Sequence, residues 1–182
     1  MEQIRYTQRI CSNKKKIDHF LIEKRAGTLS MCDKKGKPYA VPVNYIYHND
    51  KIYIHGMGSG KKNDILQQNP EVCFMVFEEF GTVTDSIPCK CDTSYFSVVI
   101  FGKMVLVQDL EEKAQVLTQF LEKFVPGLFK NSLSTEFVDK YRSSLDNNAA
   151  AVYCIYPEDL TAKENPVDME NMFSYNKSID KS

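Results

Sequence analysis

The fold turns on the stretch Val41-Pro42-Val43-Asn44-Tyr45-Ile46-Tyr47-His48-Asn49-Asp50-Lys51-Ile52-Tyr53-Ile54-His55-Gly56-Met57-Gly58-Ser59-Gly60-Lys61-Lys62. Its first half is rich in β-branched and aromatic residues, which suit a pleated, half-buried surface. Pro42 cannot donate to a ladder, so the strand Tyr39 to Tyr47 is expected to be edge-like or bulged at that point. Asn49-Asp50 makes a tight turn into a second strand, Lys51 to His55. Gly56 to Gly60 then leads into a short helical stretch, Lys61 to Gln68. Asn69-Pro70 stops that stretch, because the residue before a proline avoids the α region.

The segment His55 to Lys62 carries the strongest chemical signal. Glycines let a backbone approach a ligand closely, and the first free N–H groups of a helix carry partial positive charge. Ser59, Gly60, Lys61 and Lys62 add a hydroxyl, a flexible bend and two cations, which in physical terms is a phosphate cradle. The plain alternative is a solvated turn with two surface lysines. The segment is not a P-loop, which needs glycine where His55 stands and Ser or Thr where Lys62 stands. Adjacent helical residues diverge by about 100°, so Lys61 and Lys62 cannot approach one phosphate from the same angle.

Upstream, Lys15 to Lys24 has helical periodicity with Ile17, Phe20 and Leu21 on one face, and Thr28 to Cys32 reads as a strand. Downstream, Glu71 to Phe77 and Tyr95 to Gln108 read as strands, with a bulge or bend expected at Gly102. Glu78 to Asp92 lacks periodicity and reads as a long loop carrying Cys89 and Cys91. Asp109 caps a helix with Glu112 in the capping-box position, and Ser134 or Thr135 opens another through Ser144. Ala150 to Tyr156 is the last strand, and the polar tail from Thr161 is expected to be poorly ordered. Six strands, mostly antiparallel, with helices at the ends predict a mainly β fold, a small closed or split barrel. Residues 1–160 then form a single domain and 161–182 a tail.

The chain has 182 residues and a net charge of −1, which argues against an electrostatic nucleic-acid binder. No apolar run reaches the roughly 20 residues a bilayer span needs, and the N-terminus lacks a signal-peptide core, so a cytoplasmic protein without membrane contact is expected. Cys32, Cys73 and Cys154 sit in apolar runs, and no Cys-x-x-Cys or His-x3–5-His pair supports a metal site.

Pro42-Val43-Asn44-Tyr45, Ile52-Tyr53-Ile54-His55 and Gly60-Lys61-Lys62, in this order, resemble the nitroimidazole-resistance (Nim) group. That group belongs to the pyridoxamine 5′-phosphate oxidase-like FMN-binding split barrels. The resemblance extends through Gly27-Thr28-Leu29-Ser30, Gly36-Lys37-Pro38-Tyr39, Asn69-Pro70-Glu71-Val72, Tyr95 to Lys103 and Glu111-Glu112-Lys113, covering roughly residues 15 to 156. It implies a six-stranded, Greek-key-like barrel that binds FMN, with FAD as the alternative, at the interface of a homodimer. On this resemblance Val41, Pro42, Val43, Asn44 and Tyr45 lie along the isoalloxazine ring, largely through backbone groups. His55, Ser59, Gly60, Lys61 and Lys62 surround the ribityl phosphate, and Ser97 lies near the ring. His55 is the candidate catalytic residue, as a proton relay beside the flavin, against a plain phosphate or ring contact. Tyr95 is the candidate substrate contact, against a strand aromatic that packs. The implied activity passes electrons from NADH or NADPH to a small planar acceptor such as a nitro compound. A non-catalytic flavin carrier or sensor, and a haem-binding protein of the same fold, are the other readings.

Overall fold

The computed structural model describes residues 6–144 and 147–175. After a short helical turn, Thr7–Arg9, helix α1 (Lys14–Glu23) leads into strands β1 (Ala26–Cys32), β2 (Pro38–Asn44), β3 (Ile46–His48) and β4 (Lys51–Gly56). Helix α2 (Lys61–Leu66) precedes the long strands β5 (Glu71–Val83) and β6 (Asp92–Leu106), then helices α3 (Leu110–Phe124) and α4 (Thr135–Lys140), and finally β7 (Ala151–Asn165). The strands form one seven-stranded sheet in the order β2-β1-β5-β6-β7-β4-β3, and every recorded ladder is antiparallel. The sheet curls until β2 approaches β4, but no ladder joins its two ends. No helix among the described residues is long and apolar enough to cross a membrane.

The strand count rises from six to seven because the run from Tyr39 to Tyr47 divides at Tyr45. There the chain leaves β1 and crosses to the other end of the sheet, where Ile46 pairs with Tyr53. The break is stabilised by burial: Tyr45 is fully enclosed and its hydroxyl donates to the Leu21 carbonyl at 2.8 Å. Pro42 does not interrupt β2, which is an end strand bonded only to β1, so its missing N–H leaves no neighbour unsatisfied. Asn49 and Asp50 both take positive φ, at 50° and 59°, giving the twist a two-residue hairpin turn requires.

Two expectations need correction. The span from Glu78 to Asp92 is ladder at its ends: β5 continues to Val83 and β6 begins at Asp92, so the connecting loop shrinks to Thr84 to Cys91. Its periodicity is hidden by a bulge at Phe80, the residue left over between the pairs Glu79–Tyr95 and Gly81–Ser94. The last strand runs to Asn165 instead of ending at Tyr156, so residues 161–165 belong to the sheet, not to a tail. Pro157 lies opposite Gly102 beside a bulge whose extra residue is Glu158 of β7, not a residue of β6 as expected, and Gly102 faces the Tyr156 carbonyl too closely for a Cβ. Beyond it, the chain returns to β5, with the Phe173 amide donating to the Thr82 carbonyl at 2.8 Å. Residues 176–182 of the expected tail lie outside the described residues. The fourth helix also stops at Lys140, short of Ser144.

The inner face of the sheet carries the main core, with Leu29, Ile52, Phe74, Val98, Ile100, Tyr153 and Ile155 fully enclosed. Side chains of this size contribute roughly 1.5–3 kcal/mol each when buried. β4 and β7 are buried on both faces, because Tyr53, Val152 and Cys154 pack outward against Val116 and Phe120 of α3. Asp109 caps α3 by accepting the Glu112 amide at 2.7 Å. At its other end Lys123 donates to the carbonyls of Lys24, at 2.6 Å, and Tyr45, at 3.3 Å. Burial, then the charge of Arg25, pushes the Lys123 amine down to about 8.

Candidate functional site

The loop from Gly56 to Gly60 continues β4, which approaches β2 without pairing with it, and helix α2 packs against β1. Tyr153 fixes the loop from below, its hydroxyl donating to the Met57 carbonyl at 3.0 Å. Asn63 fixes it from α2, its amide donating to the Gly58 carbonyl at 2.8 Å. Gly60 has φ 94° and ψ 178°, a conformation open to glycine and strained for other residues, and no side chain caps the helix that follows. Ser59 is exposed at the bend.

The lysines diverge as adjacent helical residues must. The Lys61 ammonium lies 4.4 Å from the ring centroid of Tyr39 on β2, and that of Lys62 lies 4.4 Å from the ring centroid of Tyr153 on β7. Lys62 also folds over Gly56, where an added Cβ would stand 3.3 Å from its nitrogen. Burial pushes the Lys62 amine below its ordinary pKa. Among the described residues neither lysine has a carboxylate within ion-pair distance, whereas Lys14, Lys16, Lys24, Lys103 and Lys140 are all paired. Two unpaired cations on aromatic faces beside an uncapped, glycine-lined bend are an arrangement that attracts an anion.

His55, one residue before the end of β4, pairs with Val152 and turns toward α3, its ring meeting Phe120 edge-on at 4.5 Å. Part of the imidazole stays exposed, yet the protein crowded around it and the nearby Lys62 charge lower its pKa below the ordinary value. The ring is therefore neutral at physiological pH, and it can give or accept a proton.

The remaining sequence-derived positions fall into three groups. Val41 and Val43 turn inward and pack, half-buried, against the core. Pro42 and Asn44 point to the outer face of the end strand, where the backbone away from β1 is unpaired by any ladder. Tyr45 has its side chain in the core, and its amide and carbonyl bond to the Arg25 carbonyl and the Lys123 ammonium, so it is committed to the fold. Ser97 and Tyr95 lie on the outer face of β6, with Tyr95 6.0 Å from Phe77. A single chain does not bring them to the lysines. Tyr39 shares a row with Met31, Val72 and Gly102, so Ser97 lies five residues further along β6 and three strands away. At about 3.3 Å per residue and 4.8 Å per strand, the path along the sheet is roughly 20 Å. Tyr153, Asn63 and Phe120, which shape the loop and hold His55, carried no signal in the sequence because their contacts are distant along the chain.

Comparison with known proteins agrees with this architecture. The profile of the pyridoxamine 5′-phosphate oxidase family matches residues 13–164. The chain belongs to that family. Its curled but unclosed seven-stranded sheet with flanking helices is consistent with the family's split barrel. Among solved structures, a protein from Bacteroides thetaiotaomicron assigned to 5-nitroimidazole antibiotic resistance is 25% identical, with 85% of each chain covered and a TM-score of 0.64. The flavocytochrome Anf3 from Azotobacter vinelandii is 20% identical over 93% of this chain and 77% of its own, at a TM-score of 0.71. An FAD and heme binding protein from Mycobacterium smegmatis is 18% identical over 89% and 77%, at 0.68. The last two likenesses are of fold. No curated protein matched the sequence.

Proposed function

We propose that this member of the family is an FMN-dependent oxidoreductase of the cytoplasm, active as a homodimer, that passes electrons from NADH or NADPH to a small planar acceptor such as a nitro compound. The observation that carries the reading is the pair of lysines without counter-ions at the glycine bend. The residues fit a flavin mononucleotide: the bend leaves open space where a Gly60 Cβ would stand, and the two lysines that follow it lie over different rings, Lys61 over Tyr39 and Lys62 over Tyr153 beside Gly56. Lys62 and Lys61 hold the phosphate, and the outer edge of β2 from Val41 to Asn44 supports the ring. FMN serves better than FAD here, because the cations flank a single bend and supply one phosphate. A bound flavin would supply the redox chemistry between a nicotinamide donor and the acceptor. His55, kept neutral by the protein around it and by the Lys62 charge, would be the group beside the flavin that takes up and relays a proton.

Two features support the dimer in this reading. Met75, Phe77 and Phe101 are 39%, 52% and 48% exposed on the outer face of the sheet, next to Ser97 and Tyr95. An apolar sheet face of this kind marks an interface. Since Ser97 and Tyr95 lie far from the lysines of their own chain, a second subunit is what brings them to the ring.

The visible spectrum of the purified protein tests the reading. Flavin bands that bleach with NADH or NADPH and recover with a nitroaromatic acceptor are expected. Flavin bands that no nicotinamide bleaches would make the protein a flavin carrier or sensor, and a Soret band in their place would make it a haem protein.

A further inference from the structure

The first residues of β7 form the floor of the glycine bend. Gly56 pairs with Ala151, and a Cβ at Gly58 would stand 3.7 Å from the Ala151 methyl group. Further along, Tyr153 pairs with Ile54 on one side and Leu106 on the other, so its backbone is fixed by two ladders. Its side chain is fully buried, and a phenol in that setting needs a partner for its hydroxyl. The hydroxyl has one proton and two acceptors in reach, the Met57 carbonyl at 3.0 Å and Asn63 Oδ1 at 3.4 Å. The nearer Met57 carbonyl takes the proton. Asn63 holds the next carbonyl, its amide donating to Gly58 at 2.8 Å. In a trans peptide the C=O of one residue and the N–H of the next point opposite ways. Drawing the Met57 and Gly58 carbonyls inward therefore turns the Gly58 and Ser59 amides away from Tyr153 and Asn63, as successive N–H groups around an anion must lie.

The ring has a second task. The Lys62 ammonium lies 4.4 Å from its centroid, and Gly56 leaves room for it, since a Cβ there would stand 3.3 Å from the lysine nitrogen. Lys62 is half-buried and among the described residues has no carboxylate within ion-pair distance, so the ring face is what steadies its charge. One side chain thus aims backbone donors through its hydroxyl and holds a cation with its ring. Both contacts act at the bend, not along Val41 to Asn44.

We propose that Tyr153 is the positioning residue through which this bend selects a phosphorylated flavin over an unphosphorylated one, its hydroxyl aiming the Gly58 and Ser59 amides and its ring holding the Lys62 ammonium. The inference rests on the flavin reading of the bend. Tyr153 acts before any ligand arrives, because donors set in advance lose little freedom on binding.

Two substitutions separate the tasks: Tyr153→Phe keeps the ring and removes the hydroxyl, and Tyr153→Leu removes both. Titrated into flavin-free protein and read by fluorescence quenching, FMN should bind about fivefold more weakly to Tyr153→Phe and about thirtyfold more weakly to Tyr153→Leu. Riboflavin, which lacks the phosphate, should change by less than about twofold in each, which also shows that the variants fold. Asn63→Ala, on half-buried α2 and outside the core, should reproduce the loss seen in Tyr153→Phe. In a Lys62→Ala background Tyr153→Leu should weaken FMN no more than Tyr153→Phe does, because the ring acts through that lysine. Inorganic phosphate added to flavin-free wild type should shift the Gly58 and Ser59 amide resonances, and the shift should shrink several-fold in Tyr153→Phe. Riboflavin affinity falling with that of FMN, FMN affinity unchanged in Tyr153→Leu, or phosphate leaving those amides unmoved would each overturn the proposal. If the flavin reading fails, wild-type protein binds neither flavin and this inference falls with it. If this inference alone fails, wild-type protein prefers FMN and Tyr153→Leu keeps that preference.

Discussion

Replacing Lys61 and Lys62 together with alanine separates a phosphate site from a folding role. Lys62 is half-buried with its amine pKa lowered by burial, so an anion beside it meets a poorly solvated cation. A charge-assisted hydrogen bond in such a setting contributes roughly 2–3 kcal/mol. Lys61 is exposed, and an ion pair at its position adds about 1 kcal/mol at most. The double variant should therefore lose about 3 kcal/mol toward FMN, or roughly a hundredfold in Kd. Riboflavin has the same ring and ribityl chain without the phosphate, so its affinity should change by less than about twofold. Quenching of flavin fluorescence on titration into flavin-free protein measures both constants. The single Lys62→Ala variant should account for most of the loss. A riboflavin affinity that falls as far as that of FMN would refute the reasoning, as would an unchanged FMN affinity.

Other outcomes follow from individual residues. The folded-state pKa of His55 is lowered, so its NMR titration in flavin-free protein should centre below about 6.5 and move upward when the phosphate of FMN binds. For the same reason acidification below about pH 6.5 should reduce stability in the wild type more than in His55→Gln, because the unfolded chain takes up the proton first. Lys123 sits near pKa 8 when folded, so the unfolded chain binds more protons between that value and about 10.5. Denaturant unfolding should accordingly show stability rising by roughly 2 kcal/mol from about pH 7.5 to 9.5, a slope that Lys123→Met removes. Phe77→Glu, on the outer sheet face and 52% exposed, should convert a dimer to folded monomers at sedimentation equilibrium and lower flavin affinity with it.

Local signals carried much of this molecule. Asn49-Asp50, the Asp109 cap and the Asn69-Pro70 stop each act through the few residues around them, and each stands where its chemistry requires. The order of the motifs around Tyr39 to Lys62 was enough to name a family because it records the succession of strands and bends. What lay outside that reach was pairing across the chain. The ladder from Glu78 onward was hidden because one unpaired residue, Phe80, shifts the alternation that marks a strand. β7 was cut short at Pro157 because the bulge beside the proline forms against Gly102, some fifty positions earlier.

The sequence by itself determined the type of most elements, though not where β5 and β7 end, the bend with its two cations, and the family, since these rest on backbone preference and residue order. Tertiary structure alone decided that Tyr45 belongs to the core, that the lysines lack counter-ions, and that Ser97 stands far from them in its own chain. It also decided that Tyr153 of β7 lies beneath the bend and its second lysine. The physical reason is the same in each case: burial, charge pairing and distance are properties of residues brought together by folding, and no local pattern encodes which ones will meet.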